Sequence, residues 1–257
     1  MNARVVAEIV QSRDPDRFLS AHSAPAPRRR HLFAIYGFNS EVSRAAWVTN
    51  EPMLARIRLQ WWKDAVNAIC DGHDPPKHEV ALELARTIST FGFRRTPFEE
   101  VIEARASDVD APDGACAGGF DSYINSTSGN VMWLAALALG APNKTEDTIR
   151  DFAWGAGVAA YVRALPELVE RGRAWIDPAD SSISGLLLEA RERITAARSN
   201  RRSLPRYAAP ALLAGWRASS TLDRAISNPG LIAAGRLAES EFRRRGVLAW
   251  RSATGLW

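Results

Sequence analysis

One aromatic segment, residues 57–65, has the residue types best suited to holding a ligand. On a helix, Arg58 and Trp61 lie on adjoining faces, one turn apart. Gln60 and Asp64 flank the aromatic positions, and polar groups of this kind are costly to bury without partners. The segment therefore predicts an aromatic stripe in the core or, if its polar flanks are used, part of a cavity wall.

The acidic segment around Asp108, Asp110 and Asp113 superficially resembles a calcium loop. A calcium loop needs a continued series of oxygen ligands that closes on a glutamate, whereas alanine and glycine follow here. We therefore expect a solvated loop that caps a helix. The four histidines also lack the paired helical spacing of metal ligands, so the residues alone predict no metal site and no cofactor.

Length and composition predict one domain over residues 1–257, because 46% hydrophobic residues suffice for one large core. Cys70 and Cys116 lie far apart, which favours a reducing compartment over a disulfide framework. The amino-terminal residues lack the apolar stretch of a signal peptide, and no stretch reaches the roughly twenty apolar residues of a membrane helix. We expect a cytoplasmic protein, or one attached peripherally at the inner membrane face.

Arginine clusters at residues 28–30, 198–202 and 243–245 raise the question of nucleic-acid binding. Such binding would require one basic face with interleaved aromatics, but acidic residues lie between the clusters and the net charge is only +4. We expect no nucleic-acid partner. The carboxyl-terminal segment 246–257, GVLAWRSATGLW, predicts either contact with a membrane surface or packing onto the domain.

The hydrophobic pattern is helical nearly throughout, and no alternating strand pattern of useful length occurs, so the predicted fold class is all-α. A capping box at Thr96 and a stop signal at Gly140 mark helix ends. The predicted helices cover residues 14–20, 28–48, 52–71, 79–90, 96–107, 120–139, 145–171, 185–201, 208–226 and 233–249.

Five segments resemble the squalene/phytoene synthase family, and they occur in the family's order. They are LFAIYGFNSEVSRAAWV (32–48), EPMLARIRLQWWKDAV (51–66), IEARASDVD (102–110), FDSYINSTSGNVMWLAALALGA (120–141) and AWGAGVAAYVRALPELVERGRAWIDP (153–178). The resemblance covers most of the chain. It implies a single-domain, isoprenoid-synthase-like helical bundle around a central cavity.

Enzymes of this family join two prenyl diphosphates head to head. Two Asp-rich helices hold magnesium, which neutralises the leaving diphosphate and helps to form a carbocation. Magnesium requires oxygen ligands, and carboxylates four residues apart on a helix present two such groups on one face.

The positions of those carboxylates are filled by other residues in this chain. The first motif follows Tyr36 and Phe38, and its acidic positions correspond to Ser43, Arg44 and Trp47. The second precedes Gly172 and Arg173, and its metal-facing positions correspond to Ala160, Ala164 and Leu168. We expect these last three to form an apolar packing stripe that cannot bind magnesium. The resemblance thus implies a catalytically degenerate member with no metal and no catalytic residue.

If a ligand is held, the family pattern and the aromatic segment together predict the cavity wall. The expected wall residues are Tyr36, Arg58, Gln60, Trp61, Asp64, Tyr123, Gly129 and Arg163. Tyr123 and Gly129 match a family helix in which small residues permit close approach to substrate, although packing alone would also explain both.

The stretch Val162-Arg163-Ala164-Leu165-Pro166 resembles a branch of the family that lacks the Asp motifs and includes the mitochondrial complex I assembly factor. This resemblance implies a role in assembling respiratory NADH:quinone oxidoreductase, in the mitochondrial matrix if the source is eukaryotic. Two alternatives stay open. One is an active, magnesium-dependent prenyltransferase with an altered site, and the other is a protein that binds an isoprenoid or another lipid in the residual cavity.

Overall fold

Helices make up the regular structure of this chain. The computed structural model describes residues 2–49, 51–110, 119–177 and 182–237, together with 246–248, 250, 251, 254 and 257. Every regular element among these residues is helical, which confirms the all-α prediction. The α-helices are α1 (Asn2–Arg13), α2 (Pro15–His22), α3 (Ala26–Ser43), α4 (Pro52–Cys70), α5 (Glu79–Phe91), α6 (Thr96–Asp110), α7 (Gly119–Ile124), α8 (Asn130–Ala138), α9 (Glu146–Glu170), α10 (Ser182–Ser199), α11 (Ala209–Leu213), α12 (Ala218–Ser227) and α13 (Gly230–Ala233).

Several helix ends follow directly from local chemistry. The Asp14 carboxylate accepts the backbone N–H of Arg17 at 3.0 Å and caps α2. Pro52 occupies the first turn of α4, where its missing N–H costs nothing. Gly140 has a φ of 94°, a conformation that favours glycine, and this residue follows the end of α8, where it prevents the helix from continuing.

The long helix α9 lies at the centre of the packing and contacts α10 and α12 as well as α8. Its inward side chains include Phe152, Trp154 and Leu165, all among the largest fully buried side chains of the protein. Gly155 allows α10 to approach closely, because a Cβ atom at that position would lie 2.6 Å from the Ala190 carbonyl oxygen. A small residue is therefore needed where the two helices meet.

A π-helical turn, Asn125–Gly129, separates α7 from α8 where the sequence predicted one continuous helix over residues 120–139. The Thr127 hydroxyl donates a hydrogen bond to the Tyr123 carbonyl oxygen at 2.6 Å, so this carbonyl has a partner within the widened turn. Turns of this kind are frequent at functional sites.

Three further boundaries differ from the sequence predictions. Helix α1 was not predicted. The helix predicted over residues 28–48 ends at Ser43, and irregular turns follow. The helix predicted over residues 208–226 is divided into α11 and α12. Gly215 lies between them and packs against α9, where a Cβ atom would be 2.7 Å from the Cβ of Ala156.

The carboxyl-terminal segment was predicted either to contact a membrane or to pack onto the domain. Trp257 is buried and packs edge-on against Phe152, with ring centroids 4.8 Å apart, whereas Trp250 is 58% exposed. The Trp257 end of the segment therefore packs. The predicted sites at Asp113, Cys116 and 243–245, and most of the helix predicted over 233–249, lie outside the described residues. Among the described helices, none combines the length and the apolar character needed to cross a bilayer.

The contact at Gly155 generates a stability prediction. We expect Gly155→Ala to lower the free energy of unfolding by about 1–3 kcal/mol, because the added methyl group meets backbone and must push α9 and α10 apart. Gly185→Ala is the matched control: this exposed helical glycine has open space around it, so alanine should raise stability by about 0.5–1 kcal/mol. Urea unfolding of both variants measures the difference, and equal effects would contradict the packing described.

Candidate functional site

Two small cavities meet on one side of α9. The first, the aromatic cavity, has a volume of about 160 Å³ and lies between α6, α7, the π-helical turn, α9 and the turn after α3. The second, the charged cavity, has a volume of about 130 Å³ and lies between α2, α8, α9 and α12. Ser128, Gly157 and Ala160 line both. Each is smaller than the roughly 300–1,000 Å³ typical of small-molecule sites.

The three positions of the second metal motif line the aromatic cavity together. Leu168 is buried, Ala164 is half-buried and Ala160 is exposed. The prediction that these residues form a packed core stripe therefore holds for Leu168, holds in part for Ala164, which packs against the core, and is wrong for Ala160. The two alanine methyl groups are too short to fill the space into which a longer side chain would project, so the wall stays open and apolar.

The first motif reaches the same cavity through one residue. Trp47 lines the cavity wall, and the Arg171 guanidinium lies over its ring at 4.6 Å. Ser43 is half-buried as the last residue of α3, and Arg44 is exposed. Because α3 ends at Ser43, the three positions do not share one helical face. Ala46 lies in the turn after α3, and its carbonyl oxygen accepts a hydrogen bond from the Arg173 guanidinium.

A hydrogen-bonded group of Arg105, Asp108 and Tyr123 forms the polar part of the aromatic cavity. Asp108 accepts from Arg105 Nη1 at 3.0 Å and from the Tyr123 hydroxyl at 2.8 Å, and Arg105 also donates to that hydroxyl. Asp108 is only 7% exposed and lies within α6, so the prediction of a solvated loop at this residue is wrong. The spacing of Arg105 and Asp108, one helical turn apart, is the sequence signal that could have identified the pair.

Aromatic side chains close another side of the cavity. The Tyr161 hydroxyl accepts the backbone N–H of Trp175 at 2.6 Å, which holds the segment after α9 against the wall. The Trp175 ring lies 5.0 Å from the Tyr123 ring. Burial raises the pKa of Tyr161 to about 12 and also raises the pKa of Tyr123. Both phenols therefore stay protonated at neutral pH and serve as hydrogen-bonding groups.

The charged cavity owes its polar character to two ion pairs at its wall. The Asp14 carboxylate lies 2.6 Å from Arg17 Nη1, and the Asp16 carboxylate lies 3.1 Å from Arg217 Nη1. Arg163, a predicted wall residue, also lines this cavity.

The other predicted wall residues are dispersed. Tyr123 lines the aromatic cavity, as described. Tyr36 is fully buried behind Arg17 and lines neither cavity, and burial raises its pKa to about 12. Gly129 is buried beside Arg150, where a Cβ atom would lie 3.3 Å from Nη1, so its small size serves packing. The remaining four are exposed on the outer face of α4, away from both cavities: Arg58, Gln60, Trp61 and Asp64.

The cavity walls do not suit magnesium. Magnesium needs several free oxygen ligands, but Asp108, Asp14 and Asp16 are each already paired with an arginine. Within the described residues, no group of three or more His, Cys, Asp or Glu side chains is placed to hold a metal ion. An additional cation would have to compete with the guanidinium that each carboxylate already contacts.

Comparison with known proteins gives one family. The model of the squalene/phytoene synthase family matches residues 10–181 of the chain. This span includes the turn after α3 and the part of α9 that lines both cavities.

Two groups of curated relatives match over shorter spans. The mouse protein named NADH dehydrogenase (ubiquinone) complex I, assembly factor 6 is 26% identical over 161 residues, covering 62% of this chain and 48% of the relative. A presqualene diphosphate synthase from Rhodopseudomonas palustris is 31% identical over 123 residues, covering 46% of this chain and 42% of the relative. The match thus spans about half the length of these relatives.

A solved structure confirms the fold over nearly the whole chain. A dehydrosqualene synthase, crystallised in complex with a ligand, superimposes with a TM-score of 0.75, covering 98% of this chain and 96% of that one. The sequence identity is only 13%, so the likeness concerns the fold alone.

The buried group around Asp108 predicts an order of mutational effects. Asp108→Asn should lower the free energy of unfolding by about 3 kcal/mol, because it leaves the Arg105 charge without its buried counter-ion. Tyr123→Phe removes the hydroxyl's two hydrogen bonds, to Asp108 and from Arg105, and should cost about 2 kcal/mol. Arg4→Ala breaks an exposed ion pair with Glu8 and serves as the control with little effect. Urea unfolding measures all three; a loss at Asp108 no larger than at Arg4 would contradict the network.

Proposed function

The chain belongs to the squalene/phytoene synthase family, and we propose that it acts in the assembly of respiratory NADH:quinone oxidoreductase (complex I) rather than in prenyl transfer. The proposal has two supports. The mouse and human relatives named complex I assembly factor 6 are 26% and 25% identical to it over 161 residues. The chemistry of the cavity wall is the second.

The cavity wall is the observation on which the proposal depends most. By the family resemblance, Trp47, Ala160, Ala164 and Leu168 correspond to positions where family enzymes have carboxylates, and all four line the aromatic cavity. Removing one group that stabilises a transition state typically lowers the rate by about 10²–10³-fold. In this chain, residues other than carboxylates occupy all four of these positions. A protein that cannot hold the metal has little means to ionise a diphosphate.

Arginines near the former site do not restore that chemistry. Arg163 lines the charged cavity, whereas Arg44 and Arg58 are exposed outside both cavities. A guanidinium can bind diphosphate oxygens. Binding the ground state and the transition state equally would nevertheless leave the rate of the chemical step unchanged.

Prenyl transfer is the second candidate, and the 31% identity to a presqualene diphosphate synthase favours it. Prenyl transfer would require bound magnesium, and the carboxylates in the walls of both cavities are already paired with arginines. The aromatic cavity would also accept a small apolar group, such as part of an isoprenoid chain, without any reaction.

The proposed role implies a protein partner and a location in the cell. Because complex I is a membrane enzyme, an assembly protein for it would contact a subunit or another assembly partner at the inner membrane face. In a eukaryote that face would be in the mitochondrial matrix.

Deletion of the gene tests the assembly role. We expect membranes of the deletion strain to lose most NADH:quinone oxidoreductase activity and the assembled complex, since assembly would stall without the factor. Succinate:quinone oxidoreductase activity in the same membranes is the control and should be unchanged. A plasmid copy of the wild-type gene should restore the loss, and normal complex I in the deletion strain would refute the proposal.

A further inference from the structure

A third cavity lies beside the segment that follows α10, and it shares no described lining residue with the two cavities on α9. Its volume of about 340 Å³ falls within the roughly 300–1,000 Å³ typical of small-molecule sites. The match to the family model ends at residue 181, before this segment begins. We call this cavity the arginine pocket, and its wall includes Arg201, Arg202, Leu204, Arg206, Thr254 and Trp257.

The backbone that carries the three arginines is held in two short 3-10 turns, Arg201–Ser203 and Arg206–Ala208. The Leu204 N–H donates to the Arg201 carbonyl oxygen at 3.2 Å and closes the first turn. Leu204 and Ala208 are buried and anchor the segment to the core, whereas the three arginines are exposed. Less ordering of the chain is therefore needed when a ligand binds.

The positive charge of the pocket has no counter-charge among the residues that the structure describes. The guanidinium groups of Arg201, Arg202 and Arg206 make neither a hydrogen bond nor an ion pair there, and the described wall contains no Asp or Glu. Arginines on the preceding helix α10 differ in this respect: Arg191 pairs with Asp223, for example, at 2.6 Å. The three guanidinium groups of the pocket are thus available to a ligand.

A fourth arginine contacts the pocket wall from another side. Arg198 Nε donates to the main-chain oxygen of Trp257 at 2.7 Å. Burial lowers the pKa of Arg198 to about 10, and repulsion by Arg251 and Arg191 lowers it further than attraction by Asp223 raises it. Arg198 still carries its charge at neutral pH. Positive charge therefore exceeds negative charge around this wall.

The number of guanidinium groups and the shape of the pocket together select the class of ligand. A carboxylate carries one charge and would use one guanidinium, whereas a terminal phosphate carries about −1.5 to −2 at pH 7 and has three acceptor oxygens. Guanidinium groups bind phosphate with two parallel hydrogen bonds each. A bounded pocket suits a compact anion better than an extended polymer.

We propose that the arginine pocket binds a terminal phosphate or diphosphate group, carried by a soluble small molecule or by a lipid headgroup. Arg201, Arg202 and Arg206 would contact the phosphate oxygens, and the apolar Leu204 would border the rest of the ligand. The inference goes beyond the proposed role in complex I assembly and does not depend on it.

Isothermal titration calorimetry of the purified full-length chain with inorganic diphosphate, without magnesium, tests the inference. We expect the double substitution Arg202→Gln with Arg206→Gln to weaken binding by about tenfold or more, because it removes charge-assisted hydrogen bonds. The matched control is Arg44→Gln with Arg58→Gln, which removes the same charge from exposed residues outside the pocket and should bind as the wild type does. Urea unfolding should give similar stabilities for both variants, because all four side chains are exposed.

Vesicle flotation distinguishes the two sources of the phosphate group. Flotation with vesicles of phosphatidylcholine and phosphatidic acid that the pocket variant loses would identify a lipid headgroup. Diphosphate binding without flotation would identify a soluble ligand, and either result supports the inference. Binding of neither probe, or equal weakening by the two double variants, would overturn it. Binding of an oligonucleotide but of neither probe would instead assign these arginines to a nucleic-acid surface.

Discussion

The close approach of α9 to the π-helical turn is the constraint on which the site depends. A Cβ atom at Gly157 would lie 2.6 Å from Ser128 Oγ and 2.7 Å from Ile124 Cγ2, so a larger residue would force the two elements apart. Ala160, one turn later on α9, lines both cavities together with Ser128 and Gly157. Small residues on α9 thus allow the close approach of the π-helical turn and line the place where the two cavities meet.

Charge compensation explains why the cavity, though present, is poorly suited to metal chemistry. A metal site needs carboxylates whose negative charge is available, whereas Asp108 is held by Arg105 and Tyr123 inside the wall. The same pairing stabilises α6 against α7 and the tyrosine-rich side of the cavity. The carboxylate that lines this cavity therefore serves as a structural connection between two helices.

Local sequence signals predicted much of the helical framework but little of the site. Apolar periodicity placed the long helices, and Pro52 and Gly140 marked ends correctly, because these effects act within a few residues. The break at Gly215 and the end of α3 at Ser43 were not predicted. Both places contact distant segments: Gly215 lies against Ala156, and the turn after Ser43 accepts a hydrogen bond from Arg173. Asp108 likewise pairs with a residue far along the chain, since Tyr123 follows it by 15 positions. The family resemblance located the α9 wall, but only packing distances could show that Ala160 faces a cavity and that Trp61 faces outward.

The most direct test of the account is an assay of the purified protein with magnesium and farnesyl or geranylgeranyl diphosphate. The account predicts neither a condensed prenyl product nor released diphosphate above the level without protein, because Asp108, the carboxylate among the described residues that line the aromatic cavity, is already paired with Arg105. A family enzyme assayed alongside establishes that the conditions support turnover. Magnesium-dependent formation of a head-to-head product by this chain would contradict the account.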